Sequence, residues 1–513
     1  MSLITLTGLD LNSDPLPGIY RELAPNRGVA GGVTAARAAI IIGNKLASVG
    51  SGSLDGLGGA VNVPIPIYGG RQEMISRYGR KSELALLADT FWRVNKQTQL
   101  WAMFVAPGTG TATVDFTFAT NADSGFANVL YIDALGERVS VQILPGSTPT
   151  ATATAAAALI NAQDLWPVTA SNVAGVLTVA STMAGSRHDH YPTRMRISFA
   201  QTSAQTISKG SVTGGSTDDD FTNAILALET NTIYYQINPK STLVAVSSTD
   251  NGIGEHLTAV GDWVSPAKGK QCVLFTGQTG SVAQATTVAT SMNKWYSFHV
   301  AARNSDWSPG MLAAHHAAVR AFAEISDRGA NLAGYGTRPA DTFYVPDPFS
   351  PSDRYTKPEL RTLLNNGVTP IGHTDQGKSY IVWDVTTQSL NGTASDYRSR
   401  PGHIPSVMFD FWETVAAEYA TIAQPKIADD PKATDRPLVG FNYPSEIKAL
   451  LAGVIDLKIF GGPATLDPSQ RTTMKASLIV ERLNSGFMAK VQIGAVRHNL
   501  KGGFLIEDVS PSI

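Results

Sequence analysis

Hydrophobic and polar positions alternate along the chain in blocks with the periods of strands and helices. Ala38 to Gly43 is a short apolar run, the mark of a strand covered on both faces. A glycine-rich stretch, Gly50 to Gly59, follows as a loop. Ser82 then caps a helix in which Leu84, Leu87, Phe91 and Val94 recur at helical spacing. Leu100 to Val105 is the next strand, so the order is strand, loop, helix, strand, as in α/β layers.

The pattern changes at Pro107. Residues 108–216 are rich in Thr, Ala, Ser and Gly, with strand-like runs at Thr113–Phe118, Val139–Leu144 and Gly175–Ala180 and one Ala-rich helix near Thr152–Ala162. This composition predicts an inserted, mostly β domain. The α/β pattern resumes with Asp220 capping a helix over Phe221–Glu229, a strand over Thr232–Ile237, and a helix over about Val282–Trp295. A further helix opens at Ser308-Pro309, with cap and first-turn proline in order. It presents Leu312, Val319, Phe322 and Ile325 as its apolar stripe and stops near Gly329.

Pro339, Pro346, Pro348 and Pro351 mark a boundary between domains. Beyond it, Thr356 and Glu359 form a capping box for a helix that ends before Gly367. A strand over Tyr380–Thr386 and helices over Ser406–Ile422 and about Ser445–Leu457 follow. Phe487, Ala489, Val491, Ile493 and Ala495 alternate with polar residues as a half-buried strand. Both ends, Ser2–Asn12 and Leu500–Ile513, are extended. The expected fold is therefore α/β multidomain: an N-terminal arm (1–18), a middle α/β domain (19–107 plus 217–350), a β-rich insertion (108–216), a C-terminal α/β domain (351–499) and a C-terminal arm (500–513).

The chain has 513 residues, long enough for about three domains. With 40 Lys plus Arg against 42 Asp plus Glu, the net charge is −2, which lets copies associate without strong repulsion. No basic run suggests a nucleic-acid face. The single cysteine, Cys272, sits in a strand-like context as a small buried hydrophobe, and a chain with no internal disulfide fits a reducing cytoplasm. Met1–Asp14 lacks the basic start and apolar stretch of a signal peptide, and no window is apolar enough to span a membrane.

Candidate chemistry is thin. Gly277-Gln278-Thr279-Gly280-Ser281 lacks the lysine and spacing of a phosphate loop and is taken as a turn. The glycines from Gly50 to Gly59 miss dinucleotide-binding spacing. His188-Asp189-His190 could supply metal ligands, but strand neighbours point to opposite faces and no partner motif lies nearby in sequence, so a solvated loop near the tip of the insertion is expected. His315-His316 occupies adjacent helix positions that do not face together. Asp429-Asp430 before Pro431 is a turn, as is Asn391-Gly392-Thr393. Hence no catalytic, cofactor-binding or metal-ligating residue is assigned, and no cofactor is expected.

Several segments in order resemble one family. Pro17-Gly18-Ile19-Tyr20-Arg21-Glu22 is similar to the entry motif of contractile phage tail sheath proteins, especially the Mu-like branch. Tyr78-Gly79, Ser82–Asn95 and Leu100-Trp101 resemble the segment leading into that family's first helix and strand. Leu363-Leu364-Asn365-Asn366-Gly367-Val368, Gln424-Pro425-Lys426-Ile427-Ala428-Asp429-Asp430 and Leu478-Ile479-Val480-Glu481-Arg482 match later motifs. Residues 108–216 carry no matching motif, as befits a variable outward domain.

The resemblance implies a virion structural subunit, not an enzyme, synthesised in the bacterial cytoplasm. It would polymerise with itself as stacked hexameric rings in a helical sleeve around the tail tube protein. Baseplate and tail terminator proteins would be its other partners, with no nucleic acid and no membrane span. Contraction would drive the tube through the host envelope. The C-terminal domain would be the inner layer, and terminal arms would join a sheet in neighbouring subunits. A bacteriocin-type particle shares the same physics. A hydrolase with a carbohydrate-binding β insertion is the alternative from another class, motivated by Trp166, which as a core residue of the insertion would instead be buried.

Overall fold

The computed structural model describes residues 37–47, 60–248, 252–265, 268–337, 341–348, 350–392, 394–395, 401–420, 426–427, 430, 441–456, 471–483 and 486–490. The two terminal arms, the Gly50–Gly59 loop, the Pro17–Glu22 motif and Asp429 lie outside the described residues. The fold is α/β, with several sheets.

Strand β1 (Ala39–Gly43) is buried along its whole length. It pairs in parallel with β3 (Leu100–Phe104), from Ala39 opposite Leu100 to Gly43 opposite Phe104. The short β2 (Ile65–Ile67) pairs antiparallel with β3 and forms one edge of the sheet. It carries Pro66, a residue tolerated in sheets at edges because it cannot donate to a ladder. Helices α1 (Gly70–Tyr78) and α2 (Glu83–Trp92) connect them, and the Ser82 side chain caps α2 by accepting from Ala85 N–H.

Between β3 and the next helix of the main layer lie seven strands: β4 (Thr111–Ala119), β5 (Asn128–Ala134), β6 (Glu137–Ile143), β7 (Val168–Val173), β8 (Val176–Ala184), β9 (Arg196–Phe199) and β10 (Thr206–Lys209). They form two antiparallel sheets, in the orders β10-β4-β8-β7 and β6-β5-β9. Strand β4 alternates buried and open positions, as a strand with one covered face should. Helix α3 (Pro149–Asn161) buries Ala153, Ala156 and Ile160, and Trp166 is buried in the same core. The short α4 (His190–Arg194) precedes β9.

The main layer then continues through α5 (Thr222–Ala227), β11 (Tyr235–Ile237), α6 (Ile253–Trp263), β12 (Val273–Gln278), α7 (Val282–Met292), β13 (Ser297–Ala301), α8 (Pro309–Ser326), α9 (Lys357–Asn365), β14 (Thr369–His373) and β15 (Ser379–Ile381). The eight strands lie in the order β15-β14-β13-β12-β11-β1-β3-β2, and only the edge strands β2 and β15 run antiparallel. Alternate residues of each strand serve opposite faces. Ala39 and Ile41 share a core with residues of α1, α2 and α8, whereas Ile40 and Ile42 share one with α5, α6 and α7.

The sheet continues across the proline-rich stretch: β14 pairs with β13 through Val300 and Thr369. The capping box at Thr356 and Glu359 is present, and Gly367 adopts a left-handed φ of 74° after α9. Helix α10 (Ile404–Ala420) packs its first turns on the main layer, burying Ile404, Val407 and Phe409. Beyond it, α11 (Pro444–Val454) packs Ile447 and Leu451 on Leu478, beside the hairpin of Ile479–Leu483 and Gly486–Lys490.

The apolar stripe expected on α8 is correct only in its first half. Leu312 and Val319 are buried, but Phe322 and Ile325 are 37% and 46% exposed. The inward positions of the last turns belong to Arg320 and Glu324, 1% and 2% exposed. At 3.6 residues per turn, the face that begins with Ala313 and His316 reaches Arg320 and Glu324, and a charge network fixes that rotation.

Candidate functional site

In an open parallel sheet, ligands settle outside the carboxyl ends of the strands where the strand order reverses. Here the chain steps from β1 to β3 on one side and returns to β11 on the other, so the reversal lies between β1 and β11. Asn44 follows β1 at that end, and Asn238 and Lys240 follow β11.

The chain fills this crevice with its own side chains. Arg187, from the turn between β8 and α4, donates to both oxygens of Asp219 at 2.7 Å each and to Asn44 Oδ1 at 2.8 Å. It also pairs with Glu83 at the start of α2. Glu83 accepts from Asn44 N–H at 2.9 Å, and His188 Nε2 donates to Asn44 Oδ1 at 2.6 Å. Gly43 makes room for this: a Cβ there would lie 2.8 Å from Glu83 Oε2. Lys240 Nζ stands 3.4 Å from Asp218 and 5.0 Å from the buried Phe221 ring.

Burial sets the protonation states, modified by the neighbouring charges. Desolvation raises the Glu83 carboxyl above its usual range even against Arg187. Asp219 is also desolvated, but Arg187 outweighs burial and holds it below the ordinary carboxylate range. Burial, helped by Arg187, pushes His188 well below the normal imidazole range, so it is neutral. The crevice thus presents paired charges and a neutral imidazole that bind one another. They tie the β-rich segment to the main layer.

A second network occupies the opposite ends of the strands. Arg37, just before β1, donates to Glu324 at 3.1 Å and to Asp410 of α10 at 2.8 Å, with Tyr234 packed against its guanidinium at 3.9 Å. Arg320 bridges Glu324 at 2.6 Å and Asp384 at 3.0 Å, and Asp384 is 2.7 Å from His316 Nε2. Tyr235 donates to Glu324 at 2.6 Å, and Ser406 bonds the same carboxylate. Burial alone would raise Glu324 and Asp384. Arg320 and Arg37 around the first, and His316 and Arg320 around the second, hold both below the usual range.

No known family profile and no curated protein sequence matches the chain. Among solved structures it is similar to the sheath tail protein of Desulfitobacterium hafniense (12% identity, 90% of this chain and 93% of that chain, TM-score 0.46). It is likewise similar to the sheath tail protein of Listeria innocua (13%, 91% and 94%, TM-score 0.47). A chain of the anti-feeding prophage baseplate is also similar, at 10% identity over 94% of this chain and 96% of that one, with TM-score 0.40.

The residues weighed from sequence are dispersed. His188-Asp189-His190 is not in a solvated tip loop. It forms a helical turn at the root of the β-rich segment, with His188 buried and His190 bonded to the Asp306 carbonyl at 3.2 Å. The length of the strand β8 before it hid this, because that strand returns the chain to the main layer. His315 and His316 are both buried but diverge: His315 stacks edge-on against Trp307, and His316 reaches Asp384. Burial pushes His315 down to about 3 and the Cys272 thiol up to about 12. Gly277 and Gln278 end β12, and Ser281 caps α7 through a capping box with Gln284. Trp166 is 1% exposed, its indole N–H 3.4 Å from Glu137. Asp430 accepts from Ser445 at 3.1 Å and 2.6 Å. Asn391 lies in a two-residue strand before Gly392, whose φ is 62°.

Among the described residues no cluster of His, Cys, Asp or Glu has the arrangement of a metal site, and no helix is long and apolar enough to cross a membrane. A cavity of about 340 Å³, lined by Leu257, Thr258, Gly261, Lys294 and Tyr296, brings together no carboxylate or imidazole. The networks that matter, around Arg187 and Arg37, were missed from sequence. Their one local signal is Arg320 and Glu324, four apart in an Ala-rich helix.

Proposed function

We propose that this chain is a structural subunit of a contractile tail sheath of the Mu-like branch, and not an enzyme. It polymerises as stacked hexameric rings around a tail tube and contracts to drive the tube through the host envelope. The observation that carries this reading is the ordered set of sheath-like motifs from Pro17 to Arg482. Its working partners are other copies of itself, the tube protein, and baseplate and terminator proteins, in a virion tail. The self-filled crevice between β1 and β11 supports a scaffold role, because the polar atoms that would face a ligand there already face one another.

The domains divide the labour. The segment 108–216 faces outward, residues 351–499 line the inner layer, and the arms 1–18 and 500–513 pair with sheets of neighbouring subunits. A donated strand of about five backbone hydrogen bonds, each worth roughly 0.5–1.5 kcal/mol net, gives several kcal/mol per link. Repetition over many copies makes the lattice durable. The extended state is then held by its exit barrier, and contraction exchanges one set of domain contacts for another.

Negative-stain electron microscopy of the purified full chain tests the proposal, with hollow tubes expected. Deleting Met1–Asp14 should leave a folded monomer that forms none. Normal tubes from that truncation would refute the arm linkage, and a failure of the full chain to assemble under any condition would refute the sheath role.

A further inference from the structure

Helix α10 is held to the main layer by apolar contacts, by Ser406, which bonds Glu324 and Tyr234, and by the Asp410 carboxylate. Phe409 packs edge-on against Tyr234 at 5.6 Å and at a tilt against Trp295 at 5.5 Å. Next to it, Asp410 is fully buried. Its Oδ1 accepts from Arg37 at 2.8 Å. Its Oδ2 accepts no hydrogen bond from the described residues and stands 3.6 Å from Arg328 Nε.

The surroundings are crowded with acid. Arg37 is shared with Glu324, and Glu413 follows one turn later on α10 itself. Arg328 is likewise shared with Glu324, at 3.9 Å. From α8, Arg320 is taken by Glu324 and Asp384, and His316 by Asp384. Tyr234 and Tyr235 face the site from β11 and its preceding residue, both with their hydroxyls raised by burial, and the buried His403 precedes α10. Several carboxylates therefore compete for two guanidinium groups away from water.

We infer that the seat of α10 on the main layer is a proton-operated latch: one proton taken up by Asp410 tightens the contact, and its loss loosens it. A neutral carboxyl removes the charge that burial opposes and the repulsion from Glu413 and Glu324, while its Oδ1 can still accept from Arg37. Desolvation carries the Asp410 carboxyl up to about 7, against the pull of Arg37 and Arg328. A released helix exposes Asp410 to water, where it titrates near 4. With the docked value raised, the stabilisation is complete below about 4 and disappears as pH rises through 7.

The test is deuterium exchange of the α10 backbone in the full chain, corrected for intrinsic rates. Between pH 6 and 8 the wild-type opening equilibrium should rise about tenfold. In Asp410→Asn, which is neutral throughout, it should stay flat. A flat wild type, or an Asp410→Asn variant that keeps the rise, overturns the latch. If Asp410→Asn does not fold, Glu413→Gln decides. Removing that like charge should move the wild-type midpoint to lower pH, and an unmoved midpoint overturns the proposal. The outcome is independent of tube formation.

Discussion

Arg187 and Asp219 form a two-pronged ion pair, 2.7 Å on each arm, between a turn of the β-rich segment and the loop that leads back into the main layer. The pair sits where the strand order reverses, so the point at which such sheets usually take up a ligand is instead a fastening.

Removing one partner from this fastening leaves buried charge without compensation. Arg187→Ala should lower unfolding stability by about 3–5 kcal/mol, since both Glu83 and Asp219 are left facing each other. Chemical denaturation of the full chain measures it. A loss under 1 kcal/mol would show that the pair is incidental to the junction.

The exposure pattern of α8 predicts a contrast within one helix. Leu312→Ala should cost about 2–5 kcal/mol, because Leu312 is 1% exposed. Phe322→Ser and Ile325→Ser should each change monomer stability by no more than about 0.5 kcal/mol. Thermal melts at a concentration where the chain is monomeric compare the three, and equal losses would place the apolar stripe where the sequence pattern alone puts it.

Gly277 bears on the role of its loop. A Cβ there would lie 2.1 Å from the Pro309 carbonyl at the start of α8. Gly277→Ala should therefore displace α8 and destabilise by about 1–3 kcal/mol. Calorimetry with and without nucleotide checks this, and a nucleotide-dependent melting shift in the wild type would revive the phosphate-loop reading.

Acid should weaken the second network. Glu324 and Asp384 are depressed in the folded chain, so their contribution is present above about 4 and fades as pH falls through their folded values. Together with Asp410, whose contribution falls as pH rises from about 4 to 7, this places the best docking of α10 at the acid end of that window. Asp384→Asn should flatten the acid limb of a melting-temperature profile and leave the limb near neutrality in place. Loss of both limbs in that variant would mean that the groups titrate as one unit.

Local signals carried much of the fold. The apolar run at Ile40–Ile42, the caps at Ser82, Ser281 and Ser308, and the Thr356–Glu359 box are each decided by neighbours within a few residues, so their elements are readable from the chain itself. The β-rich composition of 108–216 has the same local origin. The tertiary structure alone decided which partners a charge finds. Arg187 meets Glu83 across 104 residues and Arg37 meets Asp410 across 373, and no periodicity records such a meeting. It also decided the rotation of α8, because placing Arg320 and Glu324 inward requires Asp384, Tyr235 and Arg37 to be waiting there. Burial of a charge is a property of its surroundings, and those are assembled only when distant segments pack.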